Sequence, residues 1–468
     1  MKIAGVEIKG ITCNSKAVKK GYAFVAVAGQ RQDGGCFIQE AAANGASIAV
    51  VARKAGKNKI SGKIKMLAVN DPRKFLAEAS AEFYGRPSEK LRVAGITGTN
   101  GKTTISYLIE AIVECSGIDC GVIGTINYRF KGKEIPARNT TPGPVELQGL
   151  LAKMREQGVK YCAMEVSSHA LDQKRVLGIN FRQAIFTNLT QDHLDYHKNL
   201  SGYFSAKLKL FRMLAVSGAA IINNDDEYGR RIKKSISCRL ITYGIKNKST
   251  VMARDIDFGI EGTEFTLIGP GVNSRIKTRL IGRYNIYNIL AALSWGISEG
   301  LPFKNIKSAI EKFKNVPGRL EKITSKAGHN IFVDYAHTPD ALFNVISALR
   351  PLTRGKIVVV FGCGGERDKL KRPKMGEIVT TLADYAVITS DNPRSEDPLC
   401  IIKDISKGIH KDNYCVIPDR FKAIKQALKL IKQGDCLVIA GKGHEDYQVF
   451  KTKTVHFSDR EAVVKCLR

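Results

Sequence analysis

Residues 92–114 read RVAGITGTNGKTTISYLIEAIVE, and this stretch gives the clearest indication of architecture. A short apolar run is followed by a glycine-rich polar turn and then by a helical pattern. Backbone N–H groups in such a turn point at phosphate oxygens, and the helix dipole supports them. Ile96 occupies the first glycine position of the usual motif, so the loop is a variant. We predict that it binds ATP, with Lys102 at the β/γ-phosphates and Thr103 on magnesium.

The same strand–loop–helix unit recurs along the chain. Strands that alternate with helices predict parallel sheets covered on both faces, an α/β fold. Ligands bind such sheets at the carboxyl ends of the strands, where the polar residues of these units lie. The other copies are YCAMEVSSHAL (161–171), QAIFTNLTQDHLDYH (183–197), NIFVDYAHTPDALFNVISAL (330–349), KIVVVFGCGGERDK (356–369), YAVITSDNPR (385–394) and DCLVIAGKGHED (435–446).

Two seams divide the chain. Gly-Arg-Pro precedes a new strand within residues 82–95, and Pro-Gly follows a helical stretch within residues 313–323. They predict three domains, 1–90, 91–318 and 319–468, each built on a mostly parallel sheet with helices. We expect a P-loop ATPase-type sheet in the central domain and a Rossmann-like sheet in the last.

Composition favours a cytoplasmic protein. The 468 residues are 44% hydrophobic, yet no apolar run approaches the roughly 18–20 residues of a membrane helix. The first residues, MKIAGVEIKGITCNSK, are interrupted by charge too early for a signal peptide. Eleven cysteines, an odd number with no CxxC pair, indicate free thiols in a reducing compartment.

The charge is strongly basic, with 74 Lys and Arg against 44 Asp and Glu, a net +30. Such a balance is compatible with nucleic acid, a membrane surface or anionic small molecules. The basic residues are spread along the chain, and no zinc-finger spacing or RNA-binding signature accompanies them. We therefore favour solvated lysine-rich faces, with neither a specific nucleic acid nor a membrane as partner.

Further polar clusters follow later strands. Glu165 and a histidine in MEVSSHALDQKR (164–175) suit a magnesium shell, although a helix N-cap fits this stretch equally. TNLTQDHLDYH (187–197) adds His193 and two aspartates one unit later, which favours metal and phosphate chemistry. Composition alone predicts that Lys207 is a solvated helix lysine. Asn285 and Asn288 are either helix caps or contacts to a base.

The order of eight motifs along the chain resembles that of the Mur ligases, which are ATP-dependent amide ligases of peptidoglycan precursor synthesis. These motifs are TGTNGKTT, MEVSSHAL, TNLTQDHLDYH, GRYNIYNILAA, VPGRLE, VDYAHTPD, DNPR and GKGHE. The resemblance covers essentially the whole chain and is strongest to the members that add the third residue. It implies addition of meso-diaminopimelate to the D-Glu γ-carboxylate of UDP-N-acetylmuramoyl-L-Ala-D-Glu through an acyl phosphate. An L-lysine-adding ligase is the alternative; a folylpolyglutamate synthase-like ligase and a basic nucleic-acid-binding ATPase are more distant ones.

The resemblance also assigns residues in the central and last domains. Magnesium ligands would be Thr103, Glu165, His193 and a carbamylated Lys207. Arg319 and Asp334 resemble residues at the hinge and active site of the last domain; with Lys102, Glu165, His193 and Lys207 they form the implied catalytic set. ATP would contact Gly98, Thr99, Asn100, Gly101, Lys102, Thr103, Thr104, Asn285 and Asn288.

The implied substrate contacts are more widely spread. The N-terminal domain would hold the uridine end, although the family's Asp-Ser-Arg reads Asn14-Ser15-Lys16 here. Contacts to the UDP-muramoyl dipeptide would come from Ser15, Gln30, Arg31, Gln32, Asn139, Thr140, Thr141, Ser167, Gln173 and Arg175. Diaminopimelate would contact Arg367, Asp391, Asn392, Pro393, Arg394, Gly441 and Glu445.

Arg394 carries the choice of amino acid. Diaminopimelate is lysine with an additional carboxylate at its far end, and a guanidinium matches a carboxylate with two parallel hydrogen bonds. In the family the arginine of DNPR binds that carboxylate, so the resemblance favours diaminopimelate over lysine. We expect a monomer that uses Mg²⁺ and ATP.

Overall fold

The computed structural model describes residues 1–29, 32–53, 64–325 and 328–467. The apolar runs found in the sequence form strands, and the amphipathic stretches between them form helices that cover the sheets. Three sheets of four, eleven and six strands organise the described chain, together with two small hairpins.

The first sheet lies in the N-terminal segment, and its four strands are all parallel in the order β3-β4-β5-β6. The strands of this segment are β1 (Lys2–Ile3), β2 (Val6–Glu7), β3 (Gly10–Thr12), β4 (Tyr22–Val25), β5 (Ala46–Ala52) and β6 (Lys65–Val69). Its helices are α1 (Ile38–Ala43) and α2 (Pro72–Phe83).

The second sheet has the order β10-β9-β8-β11-β7-β12-β13-β14-β15-β16-β17. Its strands are β7 (Arg92–Thr97), β8 (Cys120–Ile123), β9 (Asn127–Phe130), β10 (Lys133–Pro136), β11 (Tyr161–Glu165), β12 (Phe181–Phe186), β13 (Ala219–Asn223), β14 (Arg239–Gly244), β15 (Val251–Gly259), β16 (Gly262–Gly269) and β17 (Val272–Thr278). The central pairs, from β8 to β15, are parallel, whereas β9, β10, β16 and β17 add antiparallel pairs at the two edges. These edge hairpins were not foreseen from the sequence.

Helices cover both faces of this sheet. One face packs against α3, α9 and α10, and the other against α4 and α7, through buried aliphatic and aromatic side chains. The helices of the segment are α3 (Lys102–Cys115), α4 (Pro144–Glu156), α5 (Ser168–Asp172), α6 (Leu194–His197), α7 (Leu200–Arg212), α8 (Glu227–Lys233), α9 (Arg283–Ser298) and α10 (Phe303–Lys312).

The third sheet has the order β18-β19-β23-β20-β21-β22 and is parallel except for β18. Its strands are β18 (Glu321–Ile323), β19 (Asn330–Asp334), β20 (Ile357–Phe361), β21 (Tyr385–Ile388), β22 (Tyr414–Val416) and β23 (Cys436–Ala440). Two further strands of this segment, β24 (Tyr447–Val449) and β25 (Thr454–His456), form a separate hairpin. The helices are α11 (Pro339–Leu349), α12 (Lys371–Leu382), α13 (Pro398–Ser406), α14 (Arg420–Leu430) and α15 (Asp459–Leu467).

The predicted α/β class with mostly parallel sheets is confirmed, and one large sheet lies in each predicted segment. The domain boundaries near residues 90 and 318 stay predictions. All eleven cysteines are free. Within the described ranges, no helix is long and apolar enough to cross a membrane.

Candidate active site

A cavity of about 650 Å³ lies where the carboxyl edge of the second sheet meets the third-sheet segment. The phosphate loop, the ends of β11–β13 and the start of α9 line one side. Residues from Arg319 to Val345 line the other side. The predicted residues that share this lining are Gly98 to Thr104, Thr140, Glu165, Ser167, His193, Lys207, Asn285, Asn288, Arg319 and Asp334.

The glycines of the phosphate loop are required by close packing. Gly98 and Gly101 have φ of +151° and +90°, a region that side chains disfavour. A Cβ on Gly98 would lie 1.7 Å from the Thr187 hydroxyl, and one on Gly101 would lie 2.2 Å from the Asn288 amide oxygen. Because α3 begins at Lys102, the loop presents a helix N-terminus to the cavity.

Lys102 folds back onto its own loop. Its ammonium donates to the carbonyl oxygens of Gly98 (3.0 Å) and Thr99 (2.8 Å). Burial lowers the pKa of Lys102, while the Glu165 and Asp192 carboxylates act in the opposite direction. The cation therefore lies on the phosphate loop, close to two carboxylates.

Glu165 ends β11 and is 1% exposed. Its carboxylate accepts hydrogen bonds from the Thr103 hydroxyl (3.1 Å) and from the Thr125 amide and hydroxyl (both 2.9 Å). Gly124 leaves room for it, since a Cβ there would lie 2.4 Å from a carboxylate oxygen. Carboxylate and hydroxyl oxygens are the donors that Mg²⁺ prefers.

His193 adds an imidazole to this lining. It begins the short helix α6 with φ of +54°, and its Nε2 lies 3.4 Å from the Asp192 carboxylate. Burial lowers the pKa of His193 despite that carboxylate, which keeps the ring neutral. Among the described residues, no three His, Cys, Asp or Glu side chains are grouped to hold a metal alone. The oxygen donors of Glu165 and Thr103 suit Mg²⁺, an ion that keeps several waters when protein side chains bind it.

Lys207 is buried, so the expectation of a solvated lysine from composition is wrong. It lies on α7, is 1% exposed, and donates to the Gly98 carbonyl oxygen at 2.7 Å. The ammonium nitrogen lies 4.4 Å from the centre of the Tyr203 ring. Burial lowers the pKa of Lys207 well below its usual value, and the Lys102 charge lowers it further.

Asn285 and Asn288 lie buried in the first turns of α9. Gly282 is the N-cap, without a side-chain cap bond, so neither asparagine caps this helix. The Asn285 amide donates instead to the Ile281 carbonyl oxygen (2.8 Å), and Asn288 donates to Asn285 (3.0 Å). The cap alternative is therefore wrong, and the contact to a base stays a prediction.

The third-sheet segment contributes Arg319 and Asp334. The Arg319 guanidinium lies over the Tyr335 ring at 4.4 Å and donates to the Thr103 hydroxyl at 3.4 Å. Asp334 ends β19 and accepts the amide N–H groups of Leu320 (2.5 Å) and Ala336 (2.7 Å). Burial raises the pKa of Asp334, and Arg319 opposes that rise. The two segments thus meet at the magnesium-type donors.

The residues predicted to hold the muramoyl dipeptide form one group beside the cavity. Thr141 donates to the Glu165 backbone oxygen (2.8 Å) and accepts the Ser167 amide N–H (3.0 Å). Arg175 donates to the Thr141 backbone oxygen (2.9 Å) and to the Gln173 amide oxygen (2.7 Å). Ser167 is also the N-cap of α5, so the helix N-cap expected in this stretch is present, while its contact to the dipeptide stays a prediction. Thr140 and exposed Asn139 adjoin this group.

The predicted uridine contacts lie elsewhere. Ser15 is 6% exposed and donates its hydroxyl to Glu40 at 2.5 Å. Gln32 is exposed beside Gly29, whose N–H donates to the Gln32 backbone oxygen. Gln30 and Arg31 fall outside the described residues. Neither Ser15 nor Gln32 lines the cavity.

The predicted amino-acid residues are brought together by the ends of β21 and β23. Asn392 donates to Glu445 at 2.8 Å, and buried Lys442 donates to both residues (3.3 and 3.2 Å). Burial raises the pKa of Glu445, and the Asp391 carboxylate adds to the rise. Gly441, with φ of +114°, would place a Cβ 2.6 Å from Asp391. Pro393 is buried in the same loop.

Arg394 and Arg367 flank one glycine. A Cβ on Gly364 would lie 2.9 Å from Arg394 Nη1 and 3.8 Å from Arg367 Cγ. Arg394 donates to the Gly365 backbone oxygen at 2.7 Å, and Arg367 to the Glu366 backbone oxygen at 3.3 Å. Neither guanidinium forms an ion pair with a carboxylate among the described residues. Both can therefore accept an incoming carboxylate.

Several lining residues were missed from the sequence. Asp340 accepts hydrogen bonds from Asn100 (2.8 Å) and Thr190 (3.3 Å) across the segments, and His337 Nδ1 donates to the Tyr335 backbone oxygen (2.7 Å). Both residues belong to the motif VDYAHTPD, but the sequence alone did not predict these contacts for them. Lys442 of GKGHE, which lies outside the cavity lining, was likewise not predicted.

Comparison with known proteins places this arrangement. Residues 7–84 match the Mur ligase family catalytic domain, 96–296 the Mur ligase middle domain, and 318–443 the Mur ligase glutamate ligase domain. The chain belongs to the Mur ligase family. The resemblance predicted from the sequence is thereby confirmed.

Individual Mur ligases are similar over nearly the full length. A Clostridium tetani protein named UDP-N-acetylmuramoyl-L-alanyl-D-glutamate–2,6-diaminopimelate ligase is 44% identical over 460 residues, 98% of this chain and 94% of the relative. A Bacillus velezensis protein of the same name is 43% identical over 467 residues, 98% of this chain and 94% of the relative. A solved structure with that name has a TM-score of 0.70 at 32% identity, covering 98% of this chain and 94% of the other.

Proposed function

We propose that this protein is an ATP-dependent ligase that adds meso-diaminopimelate to the D-Glu γ-carboxylate of UDP-N-acetylmuramoyl-L-Ala-D-Glu. The carrying observation is the shared cavity, in which the phosphate loop, Glu165 and Lys207 face Arg319 and Asp334. The names of the full-length relatives confirm the predicted ligase class and its amino acid.

In the proposed reaction, an oxygen of the D-Glu γ-carboxylate attacks the γ-phosphorus of ATP. The bond from phosphorus to the bridging oxygen breaks, so ADP leaves and an acyl phosphate forms. The amine of diaminopimelate then attacks the acyl carbon, loses a proton, and expels phosphate with one oxygen of the original carboxylate. Positive charge near the transferred phosphoryl group lowers the barrier to phosphoryl transfer and the barrier to attack by the amine.

We assign the phosphate contacts to the loop from Gly98 to Thr104. Its N–H groups and the start of α3 face the cavity, and Lys102 already lies on the loop. Lys102 would leave its two carbonyl partners for the phosphates, which offer a charge-assisted bond. Asn285 and Asn288, buried but lining the cavity, would contact the nucleotide.

Magnesium fits the donors that meet at Glu165. We propose that Thr103, Glu165 and His193 hold it together with phosphate oxygens. Bound magnesium would supply charge that offsets the negative phosphates. Lys207 would add a further carboxylate, because burial lowers its pKa and so favours the neutral amine, which can attack CO₂, releasing one proton and forming a carbamate.

The substrates would enter from different sides. We place the muramoyl dipeptide on Thr140, Thr141, Ser167, Gln173 and Arg175, the group that adjoins Glu165. Its uridine end would reach Ser15 and residues 30–32, a placement that rests on the sequence resemblance. A monomeric state and a cytoplasmic location stay predictions.

Diaminopimelate would lie between β21 and β23. Glu445, with Asn392, would address the end of diaminopimelate whose carboxylate Arg394 binds, and Gly441 leaves room beside Asp391. Arg367 and Arg394 would bind the two carboxylates, since both guanidinium groups lack a carboxylate partner among the described residues.

An isotope-transfer experiment tests the acyl-phosphate route. Dipeptide substrate carrying ¹⁸O in the D-Glu γ-carboxylate is incubated with ATP, Mg²⁺ and meso-diaminopimelate. We expect one ¹⁸O in each released phosphate and one new amide in the product by mass spectrometry. Phosphate without ¹⁸O would contradict the route, and ATP hydrolysis that does not require the dipeptide would contradict the ligase.

A further inference from the structure

The loops that carry Arg367 and Arg394 are fastened to each other. The loop of residues 364–367 follows β20, and the loop of residues 391–396 follows β21. The Gly365 N–H donates to the Asn392 backbone oxygen at 2.9 Å, and the Arg394 guanidinium donates to the Gly365 backbone oxygen at 2.7 Å. A Cβ on Gly365 would lie 2.0 Å from the Pro393 oxygen, so the backbones are in direct contact.

An ion pair between buried Arg372 and partly exposed Glu396 supports this contact. Arg372 on α12 is 1% exposed and donates both terminal nitrogens to Glu396, each at 3.0 Å. The same Glu396 accepts the Glu366 amide N–H at 2.5 Å. Arg372 also approaches the Gly364 backbone oxygen at 3.4 Å. One carboxylate of the second loop thus holds the backbone of the first.

Both loops are held in a conformation that needs support. Glu366 and Arg394 have φ of +53° and +55°, a left-handed region that side-chain-bearing residues disfavour. Such conformations persist where surrounding contacts over-determine them. The Arg394 N–H is further bound to the Val449 backbone oxygen at 2.9 Å.

We propose that Glu396 and Arg372 are positioning residues that set the separation of the Arg367 and Arg394 guanidinium groups. Through that separation they set the affinity for an amino acid with a carboxylate at each end. The inference rests on the proposed function, which places one substrate carboxylate on each arginine. An amino acid with two carboxylates is bound best when both guanidinium groups are held in place. Loosening the two arginines should therefore lower the affinity for diaminopimelate and leave the affinity for ATP unchanged.

Asp404 provides a matched control. Its carboxylate lies 3.0 Å from the same Arg372 nitrogen, but its other partner is Lys407 at the end of its own helix, α13. Asp404→Asn therefore removes one charge from the same guanidinium and leaves the bond between Glu396 and the Glu366 amide in place. Glu396→Gln removes the charge that belongs to the loop.

The test measures phosphate release with meso-diaminopimelate, the dipeptide and ATP varied in turn. For Glu396→Gln we expect the KM for diaminopimelate to rise about tenfold, with kcat and the KM for ATP near wild type. Asp404→Asn should keep the wild-type KM. The proposal would be overturned if the KM for diaminopimelate rose equally in both variants or stayed unchanged in Glu396→Gln. A loss of kcat and of ATP affinity in parallel with the KM change would also overturn it.

A second variant covers the case in which Glu396→Gln does not fold. Glu396→Asp keeps a carboxylate for Arg372 but shortens the reach to the Glu366 amide, and it should show the same KM increase at an unchanged Tm. A wild-type KM in this variant would overturn the proposal. Wild-type protein that is inactive with diaminopimelate would overturn the proposed function as well, whereas active wild type with unaffected variants overturns the positioning role alone.

Discussion

The Lys207 side-chain nitrogen lies 2.7 Å from the Gly98 backbone oxygen, which joins helix α7 to the phosphate loop. A charged lysine buried at this place costs solvation free energy unless it loses its charge or is paired with an opposite charge. The burial that lowers its pKa favours the neutral amine, which is the form that reacts with CO₂. The relationship therefore supports the proposed role at the magnesium site.

Lys207→Ala should lose about 10²–10³-fold in kcat, because the charge arrangement around the transferred phosphoryl group loses a member. Short carboxylates such as acetate should restore part of the rate if Lys207 acts as a carbamate. Lys209→Ala, which removes an exposed lysine of the same helix paired with Asp172, is the control and should stay active. Steady-state phosphate release measures both, and full activity of Lys207→Ala would remove the assignment.

Arg394→Ala should lower kcat/KM for meso-diaminopimelate by about 10–100-fold, the value of a charge-assisted double hydrogen bond. Arg394→Lys should recover little, because an ammonium lacks the planar fork. Activity with L-lysine, measured at high concentration, should not fall with it. Arg254→Ala, at an exposed position on β15, serves as control. Equal losses for both amino acids would show that Arg394 supports the fold and does not bind the carboxylate.

Asp340→Ala should lower kcat/KM for ATP about tenfold, because its bond to Asn100 joins the third-sheet segment to the phosphate loop. Lys374→Ala removes another bond between the segments, to Gln191 at 3.0 Å, but from an exposed lysine away from the cavity lining. That variant should behave as wild type in the same kinetic assay. An Asp340→Ala enzyme with unchanged ATP kinetics would contradict the coupling.

Acid should destabilise the fold through partly buried histidines. Burial lowers the pKa of His337 to about 4 and that of His444 to about 3, against an unfolded value near 6.5. The unfolded state then binds more protons between pH 6.5 and about 4, so stability is lost as pH falls through this window. Tm measured from pH 7 to pH 4.5 should decline, and His337→Asn should decline less steeply. A parallel decline of both proteins would assign the effect to other groups.

Sequence patterns predicted the parallel core well, because buried strands followed by glycine-rich loops leave few alternative folds. They missed the antiparallel edges, where β9, β16 and β17 largely alternate in burial, β10 is mostly exposed, and none of the four carries a chemical motif. For these strands the tertiary contact with the sheet edge decides the structure. No local signal in the sequence separates such strands from surface loops.

The candidate site was predictable where its residues follow strands, as Glu165 and Asp334 do. Lys207 was not, since nothing in YFSAKLKLF distinguishes the buried lysine from its exposed neighbour Lys209 except the resemblance to the family. The bond between Glu396 and the Glu366 amide joins residues 30 positions apart. Only the packed fold brings such partners together.

The most direct test of the central claim is phosphate release by the purified protein with ATP, Mg²⁺ and UDP-N-acetylmuramoyl-L-Ala-D-Glu, comparing meso-diaminopimelate with L-lysine. The structure predicts turnover with diaminopimelate and a discrimination against lysine on the order of 10⁴-fold, as expected of a site built around a polar group that lysine lacks. Turnover with L-lysine alone would contradict the role of Arg394, and no turnover with either amino acid would contradict the ligase itself.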